Sequence, residues 1–183
     1  MIAYAIGLVL FFEAHIVFTY PKLRPLLVEK LGVGLFKTVV SLQSLIGLGL
    51  IIYGWPDAWI DPVYEPLGYD TARIVAHGVM PFAILLLVGA NFPSNLRRFV
   101  PHPMSTGMLV WAAFHLAANG DLRSVLLFGA FGLYALYDIL ISTASTPTKQ
   151  PLIRDVLLVL ISLVAYGGVI WLHGAVGGVP IIG

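Results

Sequence analysis

The sequence contains no cysteine. That excludes disulfides, thiolate metal sites and thiol nucleophiles, and leaves the redox compartment open. Charge is nearly as scarce: Lys, Arg, Asp and Glu together make up 10% of 183 residues. Soluble domains carry about 25%, so a soluble fold of this length could not cover its own surface. The net charge of +1 gives no electrostatic footprint for nucleic acid. No phosphate-binding glycine loop, Ser–His–Asp arrangement or H-E-x-x-H spacing is present. The first apolar run has no basic segment before it and no small-residue cleavage site after it, so it reads as a retained helix.

What the chain has instead is apolar sequence: 59% of its residues are hydrophobic. These fall into six runs, roughly Ile2–Tyr20, Leu35–Trp55, Thr71–Ala90, Pro103–Asn119, Ser124–Thr143 and Ile153–His173. Each is long enough to span a bilayer. The expected fold is all-α, a polytopic transmembrane bundle of about six spans in one domain, residues 1–183, with membrane lipid as its principal partner. Prolines punctuate the connections, as expected of a residue that cannot continue a helix interior. Pro21 and Pro25 follow the first run, Pro56, Pro62 and Pro66 fill the second connection, and Pro147 and Pro151 mark the fifth. The segment Pro25–Gly32 reads equally as a short interfacial helix or a plain turn. Lys22, Arg24, Lys30, Lys37, Arg97, Arg98, Lys149 and Arg154 all lie at odd-numbered connections. The positive-inside rule then puts those connections in the cytoplasm and both termini outside it. The expected location is a bacterial cytoplasmic (inner) membrane, crossed several times.

Ionisable side chains at membrane depth are costly and call for a partner or a role. Here they are Glu13, His15, Arg73, His77, His115, Asp138 and His173, with His102 at the start of the fourth span. The topology sorts the polar groups into two layers. Glu13, His15, Gln43, His102 and Asp138 lie toward the inside; Arg73, His77, His115, Asn119, Tyr166 and His173 lie toward the outside. Arg73, His77 and Pro81 share one helical face, as do Trp111, His115 and Asn119. The Arg73–His77 face is expected to border an internal pocket, with a bend at Pro81. Glu13 reads as the partner of a basic group or an amide, or as a proton relay. Gly47, Gly49 and Gly54 read as helix packing. Gly107, Ala112 and Ala113 would admit a flat group or a neighbouring helix.

Several segments carry a resemblance: Leu10–His15 (LFFEAH), Leu31–Gly32 with Lys37 and Ser41–Gly47, Pro101–Gly107 (PHPMSTG), Trp111–Asn119 (WAAFHLAAN), and Trp171–His173. Together they make the chain similar, nearly end to end, to the NnrU family of bacterial membrane proteins, to which plant zeta-carotene isomerases are related. The resemblance implies a membrane-embedded haem b held by histidines from two helices, at positions that fall on His15 and His115. It also implies a link to nitrogen-oxide respiration, in an isomerase-like enzyme or a redox component, and an apolar or polyene small molecule would suit such a bundle. The isomerases carry a cysteine where this chain has Ala112, so ligand exchange through that thiolate is absent. Arg73, His77, Trp111 and Asn119 complete the expected cofactor-binding set.

Depth complicates the pair. His15 sits toward the inside of its span and His115 toward the outside, an offset of about 12 Å at 1.5 Å per residue. An inclined haem accommodates it, whereas an upright haem makes His77 the better match to His115. Two other readings stay open: a non-haem binding or assembly factor, and a relative of isoprenylcysteine-type methyltransferases. The latter's motif begins with Arg where this chain has Pro101.

Overall fold

The computed structural model describes residues 1–143 and 147–175. The described residues form seven helices and no strand: α1 (Ile2–Thr19), α2 (Leu23–Gly54), α3 (Tyr69–Gly89), α4 (Leu96–Phe99), α5 (Pro103–Ala118), α6 (Leu122–Ile141) and α7 (Leu152–His173). Five of them, α1, α2, α3, α6 and α7, are long and apolar enough to cross a membrane. The chain is thus a multi-pass helical membrane protein. The fourth expected span is the short one: at 16 residues, α5 extends about 24 Å, against roughly 30 Å of hydrocarbon. Pro103 stands in its first turn, and the extended backbone of Asn119 ends it.

Chain contacts divide the molecule into two units, Met1–Asp61 and Pro62–Gly183. The first is an α1–α2 hairpin. Tyr4, Gly7 and Ala14 of α1 are buried, as are Gly47, Ile51 and Gly54 of α2. The helices cross at glycine because nothing larger fits. A Cβ on Gly54 would lie 2.5 Å from the Tyr4 backbone nitrogen, and one on Gly47 would lie 2.7 Å from that of Phe11. Such small residues let helix backbones approach where water exclusion supplies no driving force. Gly49 meets nothing within 4 Å, so only two of the three glycines serve the crossing. Tyr4 packs edge-on to Trp55 and Trp59 at the hairpin's end.

The segment Pro25–Gly32 is helical rather than a turn. It forms the start of α2, and the helix changes direction at Gly32, where φ 75° and ψ 156° leave helical space. A left-handed φ of this kind is cheap only for glycine.

In the second unit α3 packs against both α5 and α7, and α6 packs on α5. Gly107 of α5 is buried against α3, where its Cβ would lie 2.9 Å from the Ala83 carbonyl oxygen. Ala112 is fully buried beside Gly132 of α6, while Ala113 is exposed. The small residues of α5 therefore admit helices on two sides. Ala76, Met80 and Ala83 form the core, with Val79, Val110, Trp111, Phe114 and Tyr166 packed around it. The helix α3 is unbroken through Pro81, which has no N–H to return to the His77 carbonyl.

The connection between α2 and α3 closes the end of α5. Tyr64 donates its hydroxyl toward the carbonyls of Leu116 and, at 2.9 Å, Asn119. The backbone N–H of Leu67 reaches Ala117 and that of Val63 reaches Gly120. Carbonyls that a helix C-terminus leaves without partners are thus satisfied by an extended segment. Asp121 then caps α6, accepting from the N–H and hydroxyl of Ser124 at 3.0 and 2.7 Å.

Candidate functional site

His115 lies in the last turn of α5 and is half-buried. Its ring packs among Phe128 (4.5 Å between centres), Trp111 (5.0 Å) and Phe114 (5.8 Å). Nδ1 stands 2.9 Å from the Trp111 carbonyl oxygen. A carbonyl only accepts, so Nδ1 carries the proton and the lone pair is left on Nε2. Asn119 donates back to the His115 carbonyl at 2.8 Å. The expected face of Trp111, His115 and Asn119 is thus one hydrogen-bonded ladder.

His15, in the first unit, repeats the arrangement. It is half-buried, its Nδ1 lies 2.7 Å from the Phe11 carbonyl, and its ring stands 4.2 Å from that of Phe11. Again the proton is fixed on Nδ1 by the carbonyl four residues earlier. Metal-bound imidazoles are oriented in this way, one nitrogen donating to a carbonyl while the other meets the metal. The two histidines therefore suit the chemistry of haem iron. They belong to separate units. Beside His15 in that unit, Glu13 is exposed and finds an amide: Gln43 Nε2 lies 3.5 Å from its carboxylate and 3.2 Å from the Leu10 carbonyl.

The other outer-layer residues divide. His77 is exposed and hydrogen-bonds the Tyr166 hydroxyl of α7 at 2.7 Å. Arg73 pairs with Asp70 at 3.9 Å and lies over the Tyr69 ring. Asp70 and Tyr166 thus engage the two polar heads of the Arg73–His77 face. The structure instead brings in His173, whose ring centre is 6.3 Å from that of His115. The sequence places His173 in the outer layer, but its pairing with His115 depends on how α7 lies on α3. The available signal is the seven-residue spacing of Tyr166 and His173, which puts both on one face of α7.

The inner layer of this unit is also assembled. Ser105 donates to the Asp138 carboxylate, and Ser142 donates to the Asp138 carbonyl at 2.5 Å. The Ser142 hydroxyl proton being used, His102 Nδ1 donates to Ser142 at 3.2 Å. A cavity of about 250 Å³ opens here, lined by Arg97, His102, Ser105 and Asp138 among others. Arg97 also donates to the Ala90 carbonyl at the end of α3. Among the described residues no group of three or more His, Asp or Glu is placed to hold a bare metal ion.

Comparison with known proteins adds one match: a family described as NnrU protein, over residues 3–181. No curated protein and no solved structure matches the chain.

Proposed function

The chain belongs to the NnrU family, and on that premise we propose that it is a membrane haem b protein. Its role is that of a redox component of nitrogen-oxide metabolism, or an isomerase-like enzyme acting on an apolar substrate. One observation carries the haem reading: His15 and His115, the positions the resemblance assigns to iron, have the same local geometry. Each Nδ1–H is tied to the carbonyl four residues back. That arrangement presents Nε2 as the donor and fixes the ring plane before any metal arrives. Haem b would supply a redox-active iron whose potential is set by its ligands and by the apolar wall around it. Trp111, Phe114 and Phe128 would form that wall at His115. The basic connections give the orientation: cytoplasmic loops at residues 22–37, 97–98 and 149–154, with both termini outside a bacterial inner membrane.

The test is an absorption spectrum of the detergent-purified full chain, with haem content for wild type, His15→Ala and His115→Ala. Haem bands in the wild type that are lost or shifted in His115→Ala support the reading. A purified, folded wild type without haem bands rejects it. The cavity at His102 favours a second reading, the methyltransferase-like one, because residues 101–105 of the PHPMSTG motif form its wall. Binding of a methyl donor to the haem-free protein would favour that alternative.

A further inference from the structure

We infer that the start of α2, residues 23–31, is a crossbar in the membrane interface that binds anionic phospholipid. The lipid headgroup meets Lys22, Arg24, Lys30 and Lys37, and the acyl chains meet Leu23 and Leu26. The site lies wholly in the first unit and is independent of any cofactor.

A straight helix of 32 residues would be about 48 Å long, against roughly 30 Å of hydrocarbon. The part after Gly32, residues 33–54, is about 33 Å long and spans by itself. Contacts along the hairpin set its level against α1. Gly54 meets Tyr4, Gly47 meets Phe11, and Gln43 donates to the Leu10 carbonyl at 3.2 Å. At the other end the Phe18 ring stacks on Phe36, with centres 6.1 Å apart and planes at 9°. Phe36 is therefore level with the end of α1, and residues 23–31 belong to neither leg of the hairpin. Only Tyr20, Pro21 and Lys22 separate α1 from α2, and the Arg24 N–H returns to the Tyr20 carbonyl at 3.1 Å. Gly32 in turn stands four residues before Phe36. Both ends of the segment thus lie within about one helical turn of the level where α1 stops. Between them a helix rises about 12 Å, close to the roughly 8–10 Å between the axes of packed helices. The segment therefore runs across the end of the hairpin, and the left-handed φ of Gly32 makes the corner. Arg24 agrees with this placement, its guanidinium lying over the Phe18 ring, 4.8 Å from the centre.

Charge and exposure then select the partner. Between Glu13 and Asp57 the chain has four bases, Lys22, Arg24, Lys30 and Lys37, and one acid, Glu29. All four bases are exposed, and none forms an ion pair among the described residues. Leu23, Leu26 and Lys30, spaced three and four apart, share one face of the segment. That face has no protein cover, since Leu23 is 37% and Leu26 54% exposed, whereas Leu27 and Val28 are half-buried. Bare leucines beside a lysine suit the boundary between acyl chains and headgroups. There the lysine stem lies along apolar surface and its ammonium reaches phosphate. A zwitterionic headgroup would leave the surplus of cations uncompensated, so the complementary lipid is anionic.

The chain has no cysteine, so Leu26→Cys gives a single attachment point for a fluorophore. The labelled full chain is reconstituted in vesicles of phosphatidylcholine and phosphatidylglycerol. One lipid or the other carries a nitroxide quencher near the headgroup end of an acyl chain. Both lipids should quench the label, with phosphatidylglycerol preferred roughly tenfold or more, and high salt should shrink the preference. Lys22→Gln and Lys30→Gln should each lower it by up to about fivefold. Lys149→Gln, which removes a base from the second unit, should leave it unchanged. Equal quenching by the two lipids overturns the inference, as does a preference that Lys149→Gln lowers as much as Lys30→Gln does. A label that neither lipid quenches puts this face in water or under a second copy of the chain, and overturns it too.

Discussion

At Asn95 a buried amide joins the third connection to the start of α7. Its Nδ2 donates to the Gln150 carbonyl at 2.8 Å and the Asp155 carboxylate at 2.7 Å, and its Oδ1 accepts from the Gln150 N–H at 2.9 Å. Replacement by Ala removes all three bonds, one of them to a carboxylate. Asn95→Ala should cost about 1–3 kcal/mol, read as a lower thermal midpoint in detergent. Tyr64 makes a different prediction, in pH. Burial, and secondarily the Asp121 carboxylate, raise its pKa above the ordinary 10.0. The folded chain therefore holds the phenol proton more tightly than the unfolded one. The resulting stability is present below about pH 10 and is lost as pH rises through the raised folded value. Tyr64→Phe should show a smaller loss of stability between neutral and strongly alkaline pH than wild type does. Equal losses would mean that this hydroxyl does not matter to the end of α5.

Among the elements, the α1–α2 hairpin gives the sharpest contrast, because glycines on the same helix face different surroundings. A methyl on Gly54 meets the Tyr4 backbone, whereas a methyl on Gly49 meets nothing. Gly54→Ala should destabilise the protein by about 1–3 kcal/mol through overpacking, while Gly49→Ala should be neutral or slightly stabilising, as Ala is the better helix former. Comparable midpoints for the two would sink the close-crossing account. The same hairpin shows what a sequence discloses. The spans were legible because apolar runs of bilayer length between proline-rich breaks leave one solution. The segment before Gly32 was legible only as far as a choice between helix and turn, which the left-handed φ of that glycine resolves. The local ladder from Trp111 through His115 to Asn119 follows from spacing on one helix. The contacts of His173 with His115, Tyr166 with His77, and Ser105 with Asp138 do not. Each joins residues dozens of positions apart, and each depends on helix packing that sequence periodicity does not encode.

At the scale of the whole molecule, the distribution of Lys and Arg predicts that reporter fusions at either terminus will read as outside the cytoplasm, and fusions near Arg98 as inside. A cytoplasmic reading at Gly183 would refute an even number of spans with external termini. The capping of α5 by residues 63–67 has a further, practical consequence. In that segment the N–H groups of Val63, Tyr64 and Leu67 and the Tyr64 hydroxyl are committed to residues at the end of α5 and just beyond it. Gly120 meets the same segment so closely that its Cβ would lie 2.1 Å from the Tyr64 carbonyl oxygen. Just before them, Ile60 and Asp61 are exposed at the junction of the two units. The chain can therefore be lengthened there and not a few residues later. An epitope tag or protease site inserted between Ile60 and Asp61 should leave the protein expressed and folded, and the same insertion after Tyr64 should not.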